Sequence, residues 1–109
     1  MAFDAVLAKR LEELLGSHPG MRETRMFGGF GYLYQGNMCV GVWRDCLILR
    51  VGLDSAARLL EESGVRPMDI TGKPMKGWVL VEPAGLEDAG DFQRRVSLAL
   101  DFVRTLPAK

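Results

Sequence analysis

The sequence predicts an α+β domain in which helices flank a meandering antiparallel sheet. Three features carry this expectation. Each end of the chain has an amphipathic helical period, residues 25 to 51 alternate like strands between glycines, and a second strand region rich in proline and glycine precedes the last helix. The expected order is α-β-β-β-α-β-β-α. At 109 residues the chain fits a single domain spanning 1–109, long enough to bury its own core.

The first helix is read from Phe3, Val6, Leu7, Leu11, Leu14 and Leu15, which recur at steps of three and four with Lys9, Arg10, Glu12 and Glu13 opposite. Gly16 and the following SHPG end it. A second, short helix is expected in GLDSAARLLEESG, with Asp54 as N-cap, Leu53, Ala56, Ala57 and Leu60 facing inward, and Gly64 as C-cap. VRPMDITGKPMKGWVLVEP closes with a strand at Trp78 to Val81. The last helix begins near Asp91 and turns Phe92, Val96, Ala99, Val103 and Leu106 inward, with Pro107 just beyond its end.

The run RMFGGFGYLYQGNMCVGVWRDCLILRV (25–51) admits two interpretations, a phosphate cradle or a turning sheet. A dinucleotide fingerprint fails, because Tyr34 stands where the third glycine belongs and no helix follows. Neither GGFG nor TGKPMKGW has the spacing of a Walker loop. As a sheet, two-residue loops at Gly36-Asn37 and Arg44-Asp45 set Met38, Val40 and Val42 opposite Gln35, Leu33 and Gly31, and opposite Val51, Leu49 and Leu47. That face is aliphatic core. Tyr32, Tyr34, Cys39, Gly41, Trp43, Cys46, Ile48 and Arg50 fall on the other. Tyr32, Tyr34, Trp43 and Ile48, with Phe27 and Trp78 from flanking segments, form the candidate interaction surface, since Tyr, Trp and Arg are enriched at interface hot spots. Either a helix covers this face or a protein partner does.

Charge and residue chemistry exclude several functions. Fourteen basic residues balance fourteen acidic ones, so direct nucleic-acid binding is not expected. No apolar run reaches the roughly 20 residues of a membrane span, and charges punctuate the N-terminus where a signal peptide would be apolar. A cytoplasmic location follows as the expectation. His18 reads as a solvated loop residue with no carboxylate or thiol nearby to form a triad or metal set. Cys39 and Cys46 share a face four strand steps apart, roughly 13 Å, too far for a disulfide. Arg94 and Arg95 read as a solvated helix face. Arg25, Lys73 and Lys76 are candidate anion contacts in a pocket between the RMFGG turn and the TGKPMKGW loop. They belong to an alternative function, a small-ligand-binding or accessory enzyme domain.

The Arg-Met-Phe-Gly-Gly run before a tyrosine strand, then GKPMKGWVLVEP and a final helix, resembles the N-terminal domain of the TfoX (Sxy) competence regulators over nearly the whole chain. The resemblance implies a fold similar to type III secretion chaperone-like domains, a bacterial protein and no established enzymatic activity; no metal or cofactor is expected. It also implies a link to transcriptional control of competence in some relatives. Full-length TfoX regulators follow this domain with a second, helical one, which is not expected within 1–109. The function expected is a non-catalytic regulatory or protein-interaction module. Its partner would be a protein such as a transcription regulator, and it would form a homodimer.

Overall fold

A computed structural model describes residues 4–26, 29–70 and 72–109. The first helix, α1 (Ala5–Leu15), starts where Asp4 Oδ1 accepts from the backbone N–H groups of Val6 and Leu7, satisfying donors that the helix cannot. Its buried stripe is Leu7, Leu11 and Leu15, at strict i+4 spacing. Val6 and Leu14 flank that stripe and stay exposed. Phe3 lies outside the described residues.

Four strands follow, β1 (Met21–Met26), β2 (Gly29–Tyr34), β3 (Asn37–Trp43) and β4 (Cys46–Arg50), each antiparallel to the next. Then come α2 (Leu53–Leu59), β5 (Val65–Pro67), β6 (Trp78–Val81), one 3-10 turn at Pro83–Gly85, and α3 (Ala89–Val103). The six strands form one sheet in the order β1-β2-β3-β4-β6-β5. The fold is therefore α+β, in the helix–strands–helix–strands–helix order that the sequence predicts, with β1 as an additional strand. MRETRM holds three charges and little alternation, which an edge strand tolerates because it pairs on one side only and charges deter further pairing.

The second helix is rotated from expectation. Gly52, at φ 85°, is its N-cap and Asp54 falls in the first turn. Ala56 and Leu59 point inward, while Leu53, Ala57 and Leu60 are exposed. For α3 the cap is Asp88, whose side chain accepts from Asp91 N–H. The expected face of Phe92, Val96, Ala99 and Val103 is buried, and Arg95 joins it.

The β3–β4 loop is Arg44-Asp45, as predicted, with Trp43 opposite Cys46. The β2–β3 loop is Gln35-Gly36, one residue earlier than predicted. Both residues take positive φ (50° and 86°), as a type I′ turn requires. Beyond it the register shifts: Leu33 pairs with Met38 but Tyr32 pairs with Val40, leaving Cys39 as the bulged residue. A one-residue slip exchanges the faces of a strand. Tyr32 therefore joins the aliphatic face, whereas Leu33 and Met38 turn to the other side.

All three helices pack on that aliphatic face. Tyr32, Val40, Val42, Leu47, Leu49, Val79 and Val81 meet the buried stripes of α1, α2 and α3 in one continuous core. Arg95, 4% exposed, crosses its margin. The guanidinium donates to Glu62 Oε1 at 2.7 and 3.2 Å and to Gly85 O at 2.6 Å. Hydrogen bonds from Arg94 and Arg95 hold the Glu62 carboxyl below its usual range. The arginine pair read as solvated is thus half structural. Among the described residues, no helix is long and apolar enough to cross a membrane.

The two cysteines lie in different clusters on either side of the sheet, so both are free. Cys39 is in the helix-covered core and Cys46 in the cluster behind it. The bulge, rather than distance along one face, separates them. Burial pushes the Cys39 thiol up to about 12 and, with the Asp45 hydrogen bond, Cys46 to about 11.

Two outcomes follow from this core. Leu49→Ala should destabilise the domain by about 2–5 kcal/mol in urea unfolding, the cost of a cavity at a fully buried site. Cys39 has a folded pKa raised from 9.0 to about 12, so its protonated thiol supports the fold fully below pH 9. That support is lost as pH rises toward 12. The thermal midpoint should fall across this window, and fall less in Cys39→Ala; equal falls in both proteins would refute the assignment.

Candidate interaction face and basic pocket

Among the described residues, no helix packs on the second face of the sheet. One row across it runs Gly31, Gly41, Ile48, Leu80, Arg66 by register. A Cβ on Gly41 would lie 3.1 Å from Met38 Cε and 3.5 Å from Ile48 Cδ1, so the bare backbone makes room for the methionine to lie across the strand. The cover over the row comes from residues 68–70 and 72–77 between β5 and β6. It is folded back by Met75 N–H donating to Met68 O at 2.9 Å and Trp78 N–H to Met75 O at 3.2 Å. Met68 seals the centre at 0% exposure together with Ile48, Leu80 and Cys46. Around them Met38, Trp43, Ile70, Met75 and Trp78 are half-buried.

This geometry redistributes the residues expected at an aromatic surface. Trp43 and Trp78 are on the second face. Ile48 is on it too but is completely buried beneath the loop. Part of the cover is a loop of the same chain, neither the helix nor the partner that the sequence offers as alternatives. Tyr32 is 2% exposed in the helix-covered core, edge-on to Phe30 at 5.5 Å, with its hydroxyl donating to Glu23 Oε1 at 3.2 Å. Burial foremost, then the Glu23 carboxylate, raises that hydroxyl to about 12. Tyr34 packs half-buried against the same core and edge-on to His18 at 5.9 Å. The β2 register is the reason for both tyrosines. Phe27 lies outside the described residues.

The candidate anion contacts also separate. Arg25 lines a groove of about 590 Å³ between α1 and β1, with Ala5, Ala8 and Glu23. Lys76 lines a pocket of about 410 Å³ with Arg50, Trp78 and Phe102. Strands β2, β3 and β4 lie between β1 and β6, four strand spacings or roughly 19 Å. Lys73 is exposed on the 68–77 loop and lines neither cavity. No single pocket collects the three.

What the structure brings to Lys76 instead is Arg50. Its guanidinium carbon stands 5.4 Å from the Trp78 ring centre and 5.8 Å from that of Phe102. At the opposite end of β4, Arg44 stacks on Trp43 at 4.7 Å. The sequence places Arg50 on this face, but its meeting with Trp78 depends on the β4–β6 pairing, and nothing local encodes that.

Catalytic chemistry has little to work with among the described residues. No group of three or more His, Cys, Asp or Glu could hold a metal ion. His18 is half-buried, with Nδ1 2.9 Å from Pro19 O and Nε2 3.1 Å from Arg104 Nη2, so it is more constrained than a solvated loop residue. Burial opposes ionisation of both thiols, and the Asp45 carboxylate to which Cys46 donates raises that thiol further.

The chain matches the family described as the TfoX N-terminal domain over residues 13–103. No curated protein and no solved structure matches it. The matched span runs from within α1 to the last residue of α3 and takes in the entire sheet. This chain belongs to the TfoX N-terminal domain family.

Proposed function

We propose that this domain is a non-catalytic interaction module of a regulatory protein, and that it self-associates through the second face of its sheet. One observation carries the proposal: three helices cover one face, whereas among the described residues the other is covered by loop residues around Met68, Ile70 and Met75 and keeps Met38, Trp43, Met75 and Trp78 half-exposed. Methionine and tryptophan together are the side chains that interface cores favour, one adaptable and one a large rigid anchor. The occupant is a second copy of the chain. Its net charge is zero, so two copies meet without overall repulsion. The rim also carries both signs, Arg44 and Asp45 at the β3–β4 turn and Arg66 with Asp69 and Glu82 at the β5 edge, as a self-complementary patch needs. Resemblance to the TfoX regulators supports a role for such a dimer in transcriptional control, through a protein partner rather than through DNA.

Sedimentation at micromolar concentration tests this. The wild-type protein should be dimeric, and Trp43→Ala should weaken the dimer by about thirtyfold, the equivalent of losing a central hot spot of about 2 kcal/mol, with the far-UV signature unchanged. A monomeric wild type would overturn self-association.

A further inference from the structure

The pocket beside Trp78 holds cationic groups that the fold does not use. Arg50 is half-buried, yet among the described residues it makes no ion pair and no hydrogen bond; its neighbours are the two ring faces. A guanidinium offers five N–H donors, and those of Arg50 are left open to solvent rather than held by a protein acceptor. Lys76 lines the same cavity, also without an ion pair among the described residues. Among the described residues, Asp54 is the only acidic residue lining it, and it makes no ion pair with either cation. The cavity thus holds two positive charges against one negative.

Its walls are held by backbone. Gly77 O accepts from Val51 N–H at 2.9 Å and from Gly52 N–H at 3.0 Å, pinning the loop that carries Lys76 to the end of β4. A Cβ on Gly52 would stand 2.7 Å from Phe102 Cδ1, so only glycine lets that ring close the wall. At about 410 Å³ the cavity falls within the range of small-molecule sites, which pair apolar walls with a few placed polar groups.

We infer that this pocket binds a small organic oxyanion, a carboxylate or phosphate on a flat apolar body, with Arg50 and Lys76 holding the oxyanion and the Trp78 and Phe102 rings bordering the body. Arg50 supplies the paired planar donors that such groups accept, and Lys76 a mobile point charge. The site shares Trp78 with the proposed dimer face, and it stands whether or not the chain self-associates.

The test uses Trp43→Phe protein, in which Trp78 is the sole tryptophan reporter. Benzoate and phenyl phosphate are titrated separately, with benzyl alcohol as the uncharged control. A saturable change in Trp78 emission is expected with at least one anion and not with the alcohol, and the tighter anion identifies the oxyanion. Adding Arg50→Gln or Lys76→Gln should each weaken it by about tenfold or more, as loss of a charge-assisted hydrogen bond does. Lys76 is exposed, so its variant decides the matter should Arg50→Gln fail to fold. No saturation with either anion, equal binding of the alcohol, or undiminished binding by the variants would overturn the site. Sedimentation of the wild-type protein reports separately on self-association.

Discussion

The β2–β3 turn is the constraint on which most of the structure depends. Gln35 N–H donates to Gly20 O at 2.9 Å, fixing where β1 begins, and Gln35 O accepts from Lys109 N–H at 2.8 Å. Asn37, buried at 3% exposure, donates from Nδ2 to Pro107 O across a separation of 70 residues. Two distant parts of the chain, the start of β1 and the C-terminal residues 107–109, are tied to this turn and the residue after it. Gly36 sits directly against Lys109, where a Cβ would come within 2.8 Å of that side chain, so its left-handed backbone and its lack of a side chain are both required. Moving the loop by one residue would break all of these bonds and reverse the faces of β2.

The bulge at Cys39 completes what the turn begins. It lets Met38 face the loop-covered side while Val40 and Val42 face the helices, two orientations that a regular strand could not combine with the Leu33–Met38 pair. Tyr32 then fills the core beside Val40, and its hydroxyl reaches the margin to meet Glu23. A buried tyrosine whose polar end finds a partner adds a large apolar body without leaving an unsatisfied group. The opposite face loses the two tyrosine rings expected there and gains Met38. Its apolar character therefore comes from methionine, tryptophan and aliphatic side chains rather than from a cluster of aromatics.

How much of this was legible in the sequence depends on how local each determinant is. The stripe of Leu7, Leu11 and Leu15, the α3 face and the β3–β4 loop are written in short-range spacing, and the structure has them as expected. Strand β1 was not, because a charged edge strand lacks the alternation that marks a half-buried one. The β2–β3 register was not either. Gln35-Gly36 and Gly36-Asn37 both suit a tight turn, and what separates them is the bond from Asn37 to Pro107. The pocket was half legible: Lys76 stood out as a cation in a glycine-rich loop, but Arg50 and Phe102 reach it only through the β4–β6 pairing and the packing of α3. Arg25 looked like their companion only because the order of strands in the sheet cannot be read from the order in the chain.

Trp78 is the one residue common to the basic pocket and to the apolar cluster of the second face. It pairs with Arg50 at the end of β4, where the sheet's apolar side gives way to charge. A ligand can shift an equilibrium only through contacts that differ between the two states. An oxyanion drawn to Arg50 competes with the π faces for the guanidinium, and the Trp78 ring is the surface that registers the change on the other side. If the proposed ligand and partner both bind, Trp78 is a side chain they share, and any coupling between them is reciprocal, since linkage requires each to alter the affinity of the other by the same factor. The position of Trp78 makes the pocket and the face two sides of one packed element, and places the boundary between them at a single side chain.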